Sequence, residues 1–188
     1  MEAFLISTGV VALAEVGDKT QLLALVLAAR YRRPAPIIFG ILIATLANHS
    51  VAAALGAWVA HAIGEQAMRW ALGISFIAMA VWILVPDRYE DGPMTPNGRL
   101  GVFGTTLLAF FLLEIGDKTQ IATIALAAKY SALAAVIAGT TLGMMIANVP
   151  AVLLGEVAAR KLDMKVVHAI AAAVFFVLGV AMIVGFGR

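Results

Sequence analysis

Two copies of one short acidic motif are the residues in this sequence best suited to chemistry. The first copy reads Glu15-Val-Gly-Asp-Lys-Thr-Gln21, and the second, Glu114-Ile-Gly-Asp-Lys-Thr-Gln120, follows 99 residues later. Together they hold four carboxylates and two ammonium groups, a formal charge of −2 when all are ionised. One divalent cation or two protons would neutralise that charge. The motifs therefore predict a site at which a metal cation and protons compete.

We predict that the four carboxylates hold the metal, because their oxygens are hard donors suited to Ca²⁺, Mn²⁺ or Mg²⁺. These carboxylates are Glu15, Asp18, Glu114 and Asp117. The supporting residues of the motifs are Lys19, Thr20, Gln21, Lys118, Thr119 and Gln120. The sequence contains no cysteine, which excludes a thiolate site, and we interpret Met144 and Met145 as packing residues.

Three further polar residues fall within apolar stretches. Asn48 and Asn148 are additional candidate ligands through their amide oxygens, or they form helix-to-helix hydrogen bonds. They miss the 99-residue register by one position, so their equivalence does not follow from the sequence. His49 could carry a proton, but it lacks a second histidine in the repeat and we interpret it as structural.

The elements that must position these residues are membrane-spanning helices. Hydrophobic residues make up 63% of the chain, charged residues 13%, and the mean hydropathy is +1.00, whereas a soluble domain carries about 25% charged residues. A span needs roughly 20 apolar residues, so the chain has room for about six spans and no sizeable soluble domain. We predict these spans at Phe4–Ala29, Pro36–Ala60, Ala67–Val85, Val102–Ala128, Leu133–Val157 and Val166–Phe186.

Both motifs fall near the middle of a predicted span. On a continuous helix, Glu15, Asp18 and Lys19 would share one face through their i+3 and i+4 spacing. Ionised groups at that depth cost roughly 2.5–3.5 kcal/mol each, so they must face one another, water or an ion. Gly17 and Gly116 leave two alternatives open, a local unwinding that frees backbone carbonyls or a straight helix in close contact with a neighbour. The lysines are interpreted as structural counter-ions in preference to mobile charges.

The 99-residue register continues beyond the motifs, which indicates an internal duplication. It maps Ala28-Ala29-Arg30-Tyr31 onto Ala127-Ala128-Lys129-Tyr130, Gly40 onto Gly139, and Gly56 onto Gly155. Each half holds three spans, and because three is odd the second half must enter the membrane inverted. We therefore predict an all-α polytopic membrane protein of six transmembrane helices in two inverted three-helix repeats. Residues 1–85 form the first repeat, 86–100 a central linker, and 101–188 the second repeat.

Basic residues outside the predicted spans are unevenly distributed. Eight lie in loops on one side, namely Arg30, Arg32, Arg33, Arg88, Arg99, Arg160, Lys161 and Lys165. The other side has Arg69, Lys129 and Arg188. Because positive residues favour the cytoplasmic side, we predict a cytoplasmic central linker with both termini outside the cell (inner) membrane.

The doubled E-x-G-D-K-[ST] motif, with each copy opening a three-span half, resembles a family of small cation/proton exchangers. That family includes the Golgi manganese and calcium transporters of eukaryotes and the MneA-type manganese exporters of bacteria, and the resemblance covers essentially the whole chain. It implies a Mn²⁺ exporter, with Ca²⁺ as a further candidate substrate, driven by inward proton flow. It also implies that Glu15, Asp18, Glu114 and Asp117 form the cation site. The short central linker is similar to that of a prokaryotic member.

Other functions remain open at this stage. A Ca²⁺/H⁺ antiporter, or an exporter of another small cation, would use the same architecture, and a passive channel is less favoured because single-chain inverted repeats are typical of carriers. An intramembrane aspartyl protease would need two aspartates that share a proton and has no use for Glu15 and Glu114. We therefore expect no enzymatic activity, no cofactor besides the transported ions, and no nucleic-acid partner. The expected partners are a divalent cation and the lipid bilayer.

Overall fold

The computed structural model describes residues 1–85, 100–154 and 164–185, and within these ranges it forms eight α-helices. In chain order they are α1 (Glu2–Glu15), α2 (Lys19–Tyr31), α3 (Pro34–Ala62), α4 (Glu65–Ile83), α5 (Gly101–Glu114), α6 (Lys118–Lys129), α7 (Leu133–Leu154) and α8 (Met164–Val184). Four of the described helices, α3, α4, α7 and α8, are long and apolar enough to cross a membrane, and α5 is a shorter apolar helix. The all-helical class predicted from the sequence is confirmed for these residues.

The long helices agree with the predicted spans. The spans predicted at 36–60, 67–85 and 166–186 correspond to α3, α4 and α8 with ends displaced by two residues. Helix α7 begins at the predicted residue, Leu133, and residues 155–157 of that span lie outside the described part. The start of α3 is fixed by Pro34 at its first position, where the missing N–H has no helical partner to lose. Of the predicted central linker, residues 86–100, all but Leu100 lie outside the described ranges.

The first and fourth predicted spans are each interrupted by a break in the helix. Helix α1 ends at Glu15 and α2 begins at Lys19, while α5 ends at Glu114 and α6 begins at Lys118. Gly17 (φ +83°) and Gly116 (φ +79°) interrupt them with left-handed backbone conformations. A right-handed helix cannot continue through such a residue, and a side chain there would cost about 1–2 kcal/mol. Of the two alternatives for the glycines, the structure therefore has the unwound one.

The 99-residue register extends to the helices themselves. The four helices of each half begin 99 residues apart, at Glu2 and Gly101, Lys19 and Lys118, Pro34 and Leu133, and Glu65 and Met164. The same spacing relates the two breaks. The duplicated sequence thus folds into the same succession of helices twice.

Helix α3 runs beside α5 and then α6 in one direction. Near its start, Gly40 lies against the Phe103 carbonyl of α5. Near its middle, Asn48 Nδ2 donates to the Phe111 carbonyl at 3.0 Å, and towards its end Gly56 lies against the Ile124 carbonyl of α6. The two short helices α5 and α6 therefore continue in the same direction along one partner, despite the break between them.

Helix α7 follows α1 in the equivalent way. Gly139 lies against the Phe4 carbonyl, and Gly143, one turn later, lies against the Thr8 carbonyl. Helices α4 and α8 pair with each other where Gly73 and Gly179 each approach the other's carbonyl oxygen. Small residues at such crossings let helix backbones approach closely, as is common between helices in membranes.

The distribution of polar and apolar side chains is typical of a protein surrounded by lipid. Large apolar side chains are exposed on the outer faces, among them Phe39, Val51 and Trp58. Carboxylates, amides and hydroxyls are buried instead, including the acidic residues of both motifs. Together with the four long apolar helices, this arrangement indicates a multi-pass membrane protein.

Candidate cation site

Each motif begins a helix directly after its glycine. Asp18 and Asp117 are the N-cap residues of α2 and α6, both with extended backbone conformations. The side-chain oxygens of Gln21 and Gln120 accept hydrogen bonds from the Gly17 and Gly116 amides at 2.9 and 2.8 Å. This pattern is close to a capping box, in which an N-cap residue is followed three positions later by Glu or Gln. The glutamines therefore stabilise the breaks, and the D-x-x-Q spacing is the sequence signal that could have identified them.

The lysines pair with the aspartate of the opposite motif. Lys19 Nζ lies 2.8 Å from Asp117 Oδ1, and Lys118 Nζ lies 2.7 Å from Asp18 Oδ1. The expectation that Glu15, Asp18 and Lys19 share one helix face is wrong, because the helix is interrupted at Gly17, between Glu15 and Asp18. The interpretation of the lysines as counter-ions agrees with these distances, although the partner lies in the other half of the chain.

The two glutamates face one another across the breaks. Glu15 and Glu114 are the last residues of α1 and α5, and both are fully buried. One carboxylate oxygen from each of them and one from Asp117 lie within 4.8 Å of one another, a spacing at which three oxygens could bind one cation. That group does not include Asp18. The structure thus brings three of the four predicted carboxylate ligands together.

Each glutamate has one oxygen in a hydrogen bond and one without a partner. Asn148 Nδ2 donates to Glu15 Oε1 at 3.2 Å, and Thr119 Oγ1 donates to Glu114 Oε2 at 3.0 Å. The remaining oxygens, Glu15 Oε2 and Glu114 Oε1, are buried and have no hydrogen-bond partner within the described ranges. A buried polar atom without a partner costs about 1–3 kcal/mol, and a charged one costs more. These two oxygens are therefore the atoms most in need of a cation or a proton.

The charges of the site separate into balanced and unbalanced groups. The two lysine–aspartate pairs are each neutral, so the net charge of −2 belongs to Glu15 and Glu114. Both glutamates also lie at helix C-termini, where the backbone carbonyls add partial negative charge. Asp18 and Asp117 lie at helix N-termini, which stabilise carboxylates. The local field therefore favours a cation beside the glutamates.

The two asparagines have different surroundings. Asn148 Nδ2 lies near Glu15 Oε1 and also 3.1 Å from both the carbonyl oxygen and the sulfur of Met144. Its amide oxygen is buried without a partner in the part of the chain that the structure describes, so it is available as a ligand. Asn48 instead makes the helix-to-helix bond to the Phe111 carbonyl. His49, and not Asn48, lies 99 residues before Asn148, so the repeat register was the signal that could have related these two residues.

Similarity to known proteins covers almost the whole chain. The family model described as "Divalent cation/proton antiporter GDT1" matches residues 3–91 and 102–186. A protein of Vibrio cholerae serotype O1 described as "Putative manganese exporter" is 50% identical over 182 residues, which cover 96% of this chain and 90% of that protein. A GDT1-like protein of Synechocystis sp. is 28% identical over 201 residues, which cover 96% of each chain.

GDT1-like protein 4 of Oryza sativa subsp. indica is 26% identical over 199 residues, which cover 93% of this chain and 70% of that protein. No solved structure matches the chain. The matched family consists of transporters, in agreement with the expectation that the protein is not an enzyme. The chain belongs to the GDT1 family of divalent cation/proton antiporters.

Proposed function

We propose that this protein is a secondary transporter that exports Mn²⁺ in exchange for protons, with the cation held between Glu15 and Glu114. One observation carries the proposal. Two buried glutamates meet at paired helix breaks, and each keeps an oxygen without a partner in the described chain. Each nearby lysine forms an ion pair with an aspartate, so the four carboxylates of the site still exceed its two lysines by two negative charges. A cation is the simplest group that satisfies both oxygens at once.

The donor atoms fit a hard divalent cation. Carboxylate, amide and carbonyl oxygens suit Mn²⁺, Ca²⁺ and Mg²⁺, and the candidate donors here are Glu15, Glu114, Asp117 and the amide oxygen of Asn148. Asp18 then supports the site as the partner of Lys118. The similarity to the Vibrio cholerae protein supports manganese over calcium as the exported ion.

Charge balance supports exchange for protons. Two ionised carboxylates in contact inside a membrane protein are strongly unfavourable. One Mn²⁺ makes the pair neutral, and so do two protons. Release of the metal to one side would therefore be accompanied by uptake of two protons from that side, which gives an electroneutral cycle.

We further propose that the chain crosses the membrane six times, in two inverted repeats formed by residues 1–85 and 101–188. In this arrangement α1 and α2 together form one broken crossing, and α5 and α6 form another. Only Arg32 and Arg33 separate α2 from α3, and so short a connection makes α3 return antiparallel to α2. Because α3 lies parallel to α5 and α6, the second half would run opposite to the first. Broken helices that meet at the midplane are typical of ion sites in inverted-repeat transporters.

The orientation with a cytoplasmic linker and external termini remains part of this proposal. Of the basic residues behind it, Arg30, Arg32 and Arg33 lie at the connection between α2 and α3. Five others, Arg88, Arg99, Arg160, Lys161 and Arg188, lie outside the described residues. Accessibility of single cysteines introduced at residue 32 and at residue 129 to an impermeant reagent would test it directly, because the native chain has no cysteine.

The proposed function is tested with purified protein in liposomes that contain one dye for Mn²⁺ and one for pH. External Mn²⁺ should enter the wild-type vesicles as internal protons leave, so that the lumen becomes alkaline. Glu15→Gln and Glu114→Gln should each reduce both signals to the level of empty liposomes. Glu2→Gln, at the opposite end of α1, is the matched control and should transport normally. Wild-type flux in either site variant would contradict the proposal, and Ca²⁺ flux without Mn²⁺ flux would contradict the choice of metal.

A further inference from the structure

His49 is a buried histidine without a hydrogen-bond partner in the part of the chain that the structure describes. Its side chain is completely shielded from solvent, and neither ring nitrogen has a hydrogen-bond partner among the described residues. Thr45, one turn earlier on α3, is equally buried, and its hydroxyl likewise has no partner within those ranges. A histidine kept for packing would normally satisfy at least one nitrogen, since an unpaired buried polar atom costs about 1–3 kcal/mol. The surroundings of His49 therefore suggest a ligand.

The packing of the two halves shows where His49 lies. Gly40 of α3 contacts Phe103 of α5, and Gly139 of α7 contacts Phe4 of α1. The two glycines are 99 residues apart, and so are the two phenylalanines. Helix α3 therefore lies on α5 in the same register as α7 lies on α1. Nine residues after the respective glycines come His49 and Asn148. His49 is thus the positional counterpart of Asn148.

The counterpart relation links His49 to the second glutamate. Asn148 donates to Glu15 at 3.2 Å, at the end of α1. The residue in the same place relative to α5 is Glu114, which retains a buried oxygen without a partner in the described chain. In the second half, Met144 and Asn148 also contact one another at 3.1 Å. Their counterparts Thr45 and His49 make no such contact with each other. The Thr45 hydroxyl and both His49 ring nitrogens are therefore available to a ligand.

We propose that His49 ligates the transported cation through an imidazole nitrogen on the Glu114 side of the site and gives the site its preference for Mn²⁺ over Ca²⁺. The inference rests on the proposed function, because it takes the cation to lie between the two glutamates. Neutral imidazole is a common ligand of transition metals, whereas Ca²⁺ takes oxygen ligands. The two halves would then contribute different donors, an amide oxygen from Asn148 and a nitrogen from His49.

Pulsed electron paramagnetic resonance of bound Mn²⁺ tests the ligation directly, because a coordinated imidazole produces ¹⁴N couplings in the spectrum. The sample is the full-length protein, purified without a histidine tag and loaded with Mn²⁺. Wild-type protein should show these couplings, and His49→Gln should lose them while still binding Mn²⁺. His61→Asn and His168→Asn are matched controls that should keep them, since the chain has three histidines. Bound Mn²⁺ without nitrogen couplings, or couplings that survive in His49→Gln, would overturn the inference.

Competition in liposomes tests the effect on selectivity. His49→Gln should still transport Ca²⁺. Its preference for Mn²⁺ over Ca²⁺ should fall at least about tenfold, because the loss of a residue that only supports a metal ligand already costs about 10–100-fold in metal affinity. An unchanged preference in His49→Gln would contradict the role of His49. If Glu114→Gln is inactive in the same assay, the exchange function would nevertheless stand. Absence of Mn²⁺ binding in the wild-type protein would instead overturn the proposed function and this inference together.

Discussion

The crossed ion pairs lead to a prediction about stability that the structure makes quantitative. The side chain of Lys118 is 3% exposed in its pair with Asp18, whereas that of Lys19 is 25% exposed in its pair with Asp117. Removing one partner of a buried pair leaves a buried charge uncompensated and costs about 3–5 kcal/mol. Surface pairs contribute about 0–1 kcal/mol. We therefore expect Lys118→Met to destabilise the protein by about 3–5 kcal/mol and Lys19→Met by about 1–3 kcal/mol.

Thermal unfolding in one detergent, without divalent cations, measures this difference. For a chain of this size, the midpoint should fall by roughly 6–20 °C for Lys118→Met and roughly 2–12 °C for Lys19→Met. The double variant Asp18→Asn/Lys118→Met should recover most of the loss, because it removes both charges of one pair. Asp117→Asn/Lys118→Met is the matched control and should not recover, because the aspartate it removes belongs to the other pair.

The pairing of each lysine with the aspartate of the other motif would be refuted if the wrong aspartate variant restored stability. Recovery of Lys118→Met by Asp117→Asn, but not by Asp18→Asn, would mean that each lysine pairs within its own motif. Equal losses for Lys118→Met and Lys19→Met would show that the difference in burial has no energetic consequence.

Four more outcomes are expected. Gly116→Ala should cost about 1–2 kcal/mol in unfolding free energy, because its φ of +79° strains any side chain, and it should slow Mn²⁺ flux. Gly9→Ala is the control: Gly9 lies within α1 with open space around it, so alanine there should lower neither stability nor flux. Gln120→Leu should lose about 0.5–1.5 kcal/mol with the hydrogen bond to the break, as thermal unfolding would show. Burial and the hydrogen bond to Glu2 raise the pKa of the Tyr130 phenol to about 12. Glu2→Gln should therefore lower that pKa, as measured by ultraviolet titration, and Tyr130→Phe identifies which part of the absorbance change belongs to Tyr130. Mn²⁺ flux should not change when a membrane potential is imposed on the liposomes, and a clear voltage dependence would contradict one-for-two exchange.

Hydropathy and the repeat register predicted the parts of the fold that depend on burial in lipid. Both ends of α3, α4 and α8 were predicted to within two residues, and the start of α7 was predicted at the correct residue. These helices are recognisable in the sequence because each is a long apolar segment. The same signal could not show the breaks, because hydropathy is insensitive to backbone dihedral angles. The unwinding at Gly17 and Gly116 follows from the glycine together with the capping pattern D-x-x-Q, and these features were present in the sequence.

The burial of the motif carboxylates was predicted from the sequence, but their pairing was not. The four motif carboxylates are all buried near the breaks, as expected from the cost of isolated charges in a membrane. Which lysine pairs with which aspartate depends on how two distant segments meet, and local spacing contains no such information. The i+3 and i+4 argument failed because it assumed a continuous helix. His49 was set aside because no second histidine repeats it, although its counterpart under the register is Asn148.

In the proposed mechanism, Glu15 and Glu114 hold either one Mn²⁺ or two protons. Counting the protons released when Mn²⁺ binds to the purified protein, in a weakly buffered solution at neutral pH, tests it most directly. We expect the wild-type protein to release close to two protons for each Mn²⁺ bound. Glu114→Gln should bind Mn²⁺ much more weakly and release about one. Tight Mn²⁺ binding that releases no protons would contradict it, because the metal and the protons would then not compete for the same carboxylates.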